Sequence, residues 1–137
     1  CIHGAVVDVE QQLVGLVLEM VQGRTVDDFV GLGHRGQGPP EQGARYQVCL
    51  GVCRAFLYLH SRQPPIVHGD LKSANVLVEA SSRGAHPKLL DFGLARVLTR
   101  NARPLGGTLN WMAPEVFGRT TERPLCSADI FSLGMLL

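Results

Sequence analysis

Two apolar runs open the chain, Ile2-His3-Gly4-Ala5-Val6-Val7 and Leu13-Val14-Gly15-Leu16-Val17-Leu18, with the polar stretch Asp8-Val9-Glu10-Gln11-Gln12 between them. Their β-branched content and the polar bend predict an antiparallel strand pair, and Gly15 weighs against a helix over 13–21. Gln22-Gly23-Arg24 breaks the pattern. Thr25 followed three residues later by Asp28 then predicts a short capped helix over 25–30, with Asp27 and Asp28 in the first turn, where the helix dipole favours them. Residues 31–43 hold five glycines and two prolines and are expected to form an exposed loop. From 44 to 60, Tyr46, Cys49, Leu50, Cys53, Phe56 and Leu57, with Val48, Val52 and Leu59, recur at three- and four-residue spacings. That pattern predicts a central helix with a wide apolar face and with Arg45, Gln47 and Arg54 outside. Ser61-Arg62-Gln63-Pro64-Pro65 ends it, because proline cannot continue a helix. Ile66-Val67 reads as a very short strand. Val76-Leu77-Val78 and Lys88-Leu89-Leu90 flank a Ser/Gly/Pro-containing connection over 80–87, which predicts a hairpin with Asn75 and Asp91 at neighbouring strand ends.

Composition narrows the class. With 137 residues, 45% hydrophobic and 18% charged, the chain is long enough for one domain with a real core. A net charge of +1 gives neither a nucleic-acid footprint nor a polybasic membrane patch, so no nucleic-acid partner is expected. The four cysteines make no metal-ligand pattern, and Cys49 and Cys53 lie one helical turn apart. They are expected to be reduced core thiols in an intracellular, cytoplasmic protein. No apolar run reaches membrane-spanning length, since Gly15, Glu19 and Gln22 interrupt the best one. No signal-peptide pattern is visible, and a chain that opens on Cys1 and closes on an apolar run is expected to be a fragment.

The densest chemistry lies in His68-Gly69-Asp70-Leu71-Lys72-Ser73-Ala74-Asn75. Asp70 is a carboxylate able to take a proton from a hydroxyl, Lys72 a cation able to meet a phosphate, and Asn75 an oxygen donor suited to Mg²⁺. Asp91-Phe92-Gly93 follows sixteen residues after Asn75. Polar residues at strand ends often only cap turns, but here two oxygen donors converge at one end of a hairpin beside a lysine and a second aspartate, which suits a Mg²⁺-phosphate site. His68 reads as a packed structural residue. His3, His34, His60 and His86 have no partner at metal-ligand spacing and read as structural or exposed.

With those residues in view, the chain resembles part of a eukaryotic-type protein kinase. His68-x-Asp70-Leu71-x-x-x-Asn75 is similar to the catalytic loop, Asp91-Phe92-Gly93 to the metal-binding turn, and Ala113-Pro114-Glu115 to the end of the activation segment. Gly107-Thr108-x-x-Trp111-Met112 and Ser127-Ala128-Asp129-Ile130-Phe131-Ser132-Leu133-Gly134 extend the match, the second resembling the start of the long buried helix of the C-terminal lobe. The resemblance implies a truncated α+β kinase fold. Residues 1–22 would be the last small-lobe strands and the hinge, and 23–137 the C-lobe through the start of that helix. It implies ATP and Mg²⁺ as cofactors and a protein with a Ser/Thr hydroxyl as substrate. Asp70 would be the catalytic base, Lys72 would meet the transferring phosphoryl group, and Asn75 and Asp91 would hold the metal. Leu18 would be the gatekeeper, Glu19-Met20-Val21 the hinge that meets adenine, Thr25 a neighbour of the ribose and Leu77 the floor under the base. Ile2, His68 and Phe92 would join a stacked spine anchored by Asp129, and Thr108 and Trp111 would belong to the substrate-facing loop. Lys72, Thr108 and the strings Lys72-Ser73-Ala74-Asn75 and Trp111-Met112-Ala113-Pro114-Glu115 resemble the tyrosine-kinase-like branch of serine/threonine kinases.

The departures from the family pattern carry expectations of their own. Gly69 stands where many kinases have the arginine that receives an activation-loop phosphate. Thr99 is the one hydroxyl between Gly93 and Gly107, beside Arg96, Arg100 and Arg103, and its phosphorylation is expected to be dispensable. No Gly-rich loop, strand lysine or helix glutamate precedes Asp70, so the piece alone is not expected to be a competent kinase. Glu115 is expected to be without the arginine that partners it in the family, and exposed apolar faces predict poor solubility. Two classes of function follow: a fragment of an ATP-dependent kinase, or a pseudokinase-like scaffold or nucleotide-binding module. The intact set Asp70, Lys72, Asn75 and Asp91 favours the enzyme.

Overall fold

The computed structural model describes residues 2–31, 40–99, 101–103, 105–117 and 125–137. Most of the Gly/Pro-rich stretch, together with Cys1, His34 and Arg100, lies outside them. The first two apolar runs form the expected antiparallel pair, β1 (Ile2–Asp8) and β2 (Leu13–Leu18), with Val7 opposite Val14 and Ile2 opposite Leu18. Asp8 closes the bend by accepting the Gln11 N–H.

A two-residue strand, β3 (Arg24–Thr25), leads into α1 (Val26–Val30). Thr25 caps this helix as its spacing predicts: its hydroxyl accepts the Asp28 N–H at 3.2 Å and donates to the Asp28 carboxylate at 2.9 Å. Gly31, with φ of 87°, ends the helix in the left-handed conformation that glycine adopts without a Cβ clash.

The central helix α2 runs Gln42–His60, two residues longer at its N-terminus than the sequence pattern suggests. Its buried seam is narrower than expected. Val48, Val52, Phe56 and Leu59 are buried, whereas Tyr46 and Leu57, assigned to the apolar face by spacing, are exposed. One stripe of a helix meets one partner surface, and residues about 100° away along the helix turn toward solvent. Cys49 and Cys53 flank the seam as half-buried free thiols.

After β4 (Ile66–Val67), a 3-10 turn over Ser73–Asn75 feeds β5 (Val76–Ser81), which pairs with β6 (Gly84–Leu89). The expected connection over 80–87 is mostly strand; only residues 82 and 83 turn. Ser81 supports the turn by accepting the Arg83 N–H, and Gly84 takes a φ of 111°. Pro87 is tolerated because β6 is an edge strand in the order β3-β5-β6. A second short pairing joins β4 to β7 (Arg96–Val97). The last helix, α3, spans Cys126–Leu136. It is not buried all round: Ala128, Asp129, Ser132 and Leu133 face inward, while Ile130 and Met135 are exposed.

One core joins these elements. Val26 and Phe29 of α1, the α2 seam, Leu71, Val76, Val78, Ala85 and Leu133 form a single cluster. Full burial of a side chain such as Phe56 contributes about 1.5–3 kcal/mol. Among the described residues, no helix is long and apolar enough to cross a membrane.

Candidate active site

The site is the loop between β4 and β5, and its backbone hangs from one carboxylate of α3. Asp129, 1% exposed, accepts the His68 N–H at 2.8 Å on Oδ2 and the Gly69 N–H at 2.9 Å on Oδ1. His60, at the end of α2, donates from Nε2 to the same Oδ2 at 2.8 Å. Two helices therefore hold the loop through one side chain. Asp129 was legible as an anchor in the sequence. His60 was not, because it lies 69 residues away and shares no motif with Asp129.

His68 is packed rather than free. Its Nδ1 accepts the Asp70 N–H at 3.3 Å and its Nε2 donates to the Leu90 carbonyl at 3.0 Å. The ring stands edge-on to Phe92 at 4.9 Å between centroids and to Phe56 at 6.2 Å. Phe56 in turn meets His60 at 5.6 Å, so four rings link the end of α2 to the Asp91-Phe92-Gly93 turn. Ile2, grouped with this spine by resemblance, is 66% exposed on β1 and is not part of the core cluster.

The Asp70 carboxylate receives four donors. Thr108 gives its N–H at 2.9 Å and its hydroxyl at 2.8 Å to Oδ1, while Lys72 Nζ at 3.0 Å and Asn75 Nδ2 at 3.2 Å meet Oδ2. Burial pushes the Asp70 carboxyl up, but the Lys72 and Thr108 hydrogen bonds and the Lys72 charge outweigh it and hold the group below the usual carboxylate range. Lys72 also donates to Thr108 Oγ1 at 3.0 Å, which closes a small ring of contacts. Ser73 extends the anchoring by donating to Asp27 of α1 at 2.5 Å. Asp27 had read only as a favourable helix charge, and nothing in its spacing points to the loop.

Asn75 and Asp91 lie at the same end of the β5–β6 hairpin: Val76 pairs with Leu89, and the Leu90 N–H donates to the Asn75 carbonyl at 2.8 Å. Asn75 commits its amide nitrogen to Asp70, leaving its side-chain oxygen without a hydrogen bond among the described residues. Asp91, exposed and in the left-handed region at φ 58°, uses Oδ1 to accept the Gly93 N–H at 3.1 Å. Two hard oxygen groups therefore remain available. Among the described residues, no cluster of three His, Cys, Asp or Glu side chains forms a metal cage. That donor set still fits Mg²⁺, which is commonly held by one or two protein oxygens and completed by phosphates and water.

The remaining sequence-predicted residues divide into two groups. Thr25 and Leu77 are register partners between β3 and β5, and the Thr25 hydroxyl is committed to the α1 cap. Leu18 is exposed at the end of β2, and Glu19 and Val21 are half-buried in the segment that follows. The Glu19 carboxylate pairs with Lys88 of β6, which holds it well below the usual carboxylate range. Trp111, half-buried in a 3-10 turn over Leu109–Trp111, has its carbonyl fixed by the Ser132 hydroxyl at 2.6 Å. Glu115 accepts the Ser127 hydroxyl at 3.4 Å.

Comparison with known proteins identifies the family. The profile of the protein kinase domain matches residues 2–137. A putative cysteine-rich receptor-like protein kinase 20 of Arabidopsis thaliana is 34% identical over 130 residues, covering 89% of this chain and 18% of the relative. A probable serine/threonine-protein kinase of Dictyostelium discoideum is 38% identical over 100 residues, covering 68% of this chain and 9% of the relative. A receptor protein-tyrosine kinase of Arabidopsis thaliana is 33% identical over 110 residues, covering 76% of this chain and 11% of the relative. The chain thus spans no more than about a fifth of the length of these relatives. On the match of the profile across residues 2–137, the chain belongs to the protein kinase domain family.

Proposed function

We propose that these residues are the catalytic-loop half of an ATP-dependent protein serine/threonine kinase, with 1–22 as small-lobe strands and hinge and 23–137 as the first part of the C-lobe. The observation that supports this most is the state of Asp70, an ionised carboxylate fixed by Lys72, Asn75 and Thr108 at the hairpin end that also carries Asp91.

In this reading Asp70 accepts the proton of the substrate's Ser or Thr hydroxyl as its oxygen attacks. Its donors fix the carboxylate's direction and keep it unprotonated at neutral pH. Lys72 lies between Asp70 and Thr108, where its charge would meet the transferring phosphoryl group. Thr108 and Trp111 would face the protein substrate, and the lysine beside Thr108 favours an aliphatic hydroxyl acceptor. Asn75 and Asp91 would hold Mg²⁺. Leu18, the Glu19 and Val21 backbone, Thr25 and Leu77 would border the nucleotide. When bound, Mg²⁺-ATP supplies the phosphoryl group and neutralises the charge that spreads over its oxygens.

The test is phosphate incorporation into a generic Ser/Thr substrate by the intact protein, with and without Asp70→Asn. Loss of the base is expected to lower kcat by about 10²–10⁴-fold. Equal incorporation by both proteins would remove Asp70 from the role.

A further inference from the structure

We infer that Leu105 is a positioning residue: seated on the bare backbone of Gly69, it holds the 105–108 segment on the catalytic loop, and so keeps Thr108 on Asp70, without any phosphate on the 93–107 segment. This rests on the kinase reading above and names how that site is kept assembled.

Gly69 has φ of +79°, and a Cβ there would come within 2.9 Å of Leu105 Cδ2 and 3.1 Å of the Leu94 carbonyl oxygen. The Leu105 methyl therefore occupies the space that a side chain at 69 would need. Gly107, at φ +137°, makes the complementary approach, since its Cβ would lie 2.9 Å from the Gly69 carbonyl oxygen. Two glycines thus let two backbones touch, and Leu105 fills the gap beside them. The void left along this contact is about 10 Å³, lined by Gly69, Asp70, Leu105, Gly107 and Thr108 among others. That is room for about one water beside the contact, so the Leu105 methyl and the two glycine backbones meet without a water layer between them. Thr108 follows Gly107 directly, and its N–H reaches Asp70 Oδ1 at 2.9 Å. A shift of the segment away from Gly69 carries Thr108 off the carboxylate. Position 69 offers no charge to receive a phosphate, and apolar contact does the holding. Thr99 is exposed and is not among the residues that line this contact.

The test uses the intact, unphosphorylated protein as wild type, Leu105→Ala, Leu105→Met, Gly69→Ala and Thr99→Ala. Amide hydrogen exchange at Thr108 is read beside kcat and the KM for ATP. Leu105→Ala is expected to speed Thr108 exchange by about tenfold or more. It should lower kcat about ten- to a hundredfold, with KM for ATP within about twofold, because the contact orients the acceptor side of the site. Leu105→Met, close in volume, should restore both readouts, and Thr99→Ala should match wild type. Should Leu105→Ala not fold, Gly69→Ala displaces the same methyl and is read in the same way. Unchanged Thr108 exchange in the displaced variant, or protection that disappears in Thr99→Ala, overturns the inference. A wild type with protected Thr108 and no phosphotransfer would instead sink the kinase reading while leaving the seat intact.

Discussion

At Asp70 burial and hydrogen bonding pull in opposite directions, and the direction of the net shift says which wins. Burial disfavours the charged carboxylate, yet the hydrogen bonds from Lys72 and Thr108 hold it below its ordinary range. Thr108 contributes through both its N–H and its hydroxyl, so Thr108→Val removes one donor and keeps the shape. In its proposed role as base Asp70 works only when deprotonated, and its rate contribution disappears as pH falls through its pKa. Weakening the donors raises that pKa, so the acid limb of kcat/KM in Thr108→Val should move to higher pH, with the plateau reached later. A pH–rate profile in which the acid limb stays put or moves lower would show that Asp70 does not govern it. His60 makes the complementary point. In the sequence it reads as structural or exposed, with no partner at metal-ligand spacing, and its bond to Asp129 helps fix the atoms that hold the His68 and Gly69 amides.

Helix α2 lies against β6 closely enough that Gly51 meets Pro87: a Cβ at 51 would come within 2.5 Å of the proline Cγ. Alanine normally gains about 1 kcal/mol over glycine inside a helix. Here the methyl must push a proline ring on a paired strand, and overpacking of that kind costs about 1–3 kcal/mol. Gly51→Ala is therefore expected to be net destabilising, by up to about 2 kcal/mol, read as a lower midpoint in urea with unchanged slope. A stabilised variant would mean that α2 and β6 separate more easily than their packing implies. The same elements show what the sequence could reveal. Strong local signals were readable: the β1–β2 pair from its β-branched apolar runs and polar bend, α1 from its Thr25 cap, and α2 from its recurring apolar spacing. The lengths of β5 and β6 were not, because Ser82 and Arg83 carry no hairpin-turn signature and Pro87 reads as a breaker until its edge position is known. β3 and β7 were hidden, since Arg24-Thr25 and Arg96-Val97 lack the adjacent β-branched pair that made Ile66-Val67 readable, and they are strands only through partners far along the chain. The candidate site was legible for the opposite reason. Asp70, Lys72, Asn75 and Asp91 form a fixed order along the chain, whereas Leu105, His60 and Asp27 join them only through tertiary contact.

Across the whole molecule, apolar surface is unevenly covered. The cluster from α1 to α3 buries its central side chains, but β1 and β2 pair only with each other among the described strands, and Val7 and Val14 are 65% and 71% exposed. Lys88 ties the segment after β2 to the hairpin, meeting Glu19 and, at 2.9 Å, Glu79, which raises the Lys88 pKa through those hydrogen bonds. That strut fixes one end of the pair without covering its faces. A two-stranded sheet with apolar residues on both sides and open edges recruits other strands, so the 137-residue chain by itself is expected to self-associate as its concentration rises. Val7 and Val14 are direct cross-strand partners, which permits a specific repair. Val7→Lys combined with Val14→Glu places opposite charges on neighbouring strands and adds cross-strand attraction of about 0.2–1 kcal/mol while making the face polar. Sedimentation velocity should show the double variant shifting toward monomer, with far-UV circular dichroism unchanged. The same assemblies in both proteins would move the association site elsewhere, with the exposed apolar residues of α2 and α3, Leu57 and Ile130, next in line.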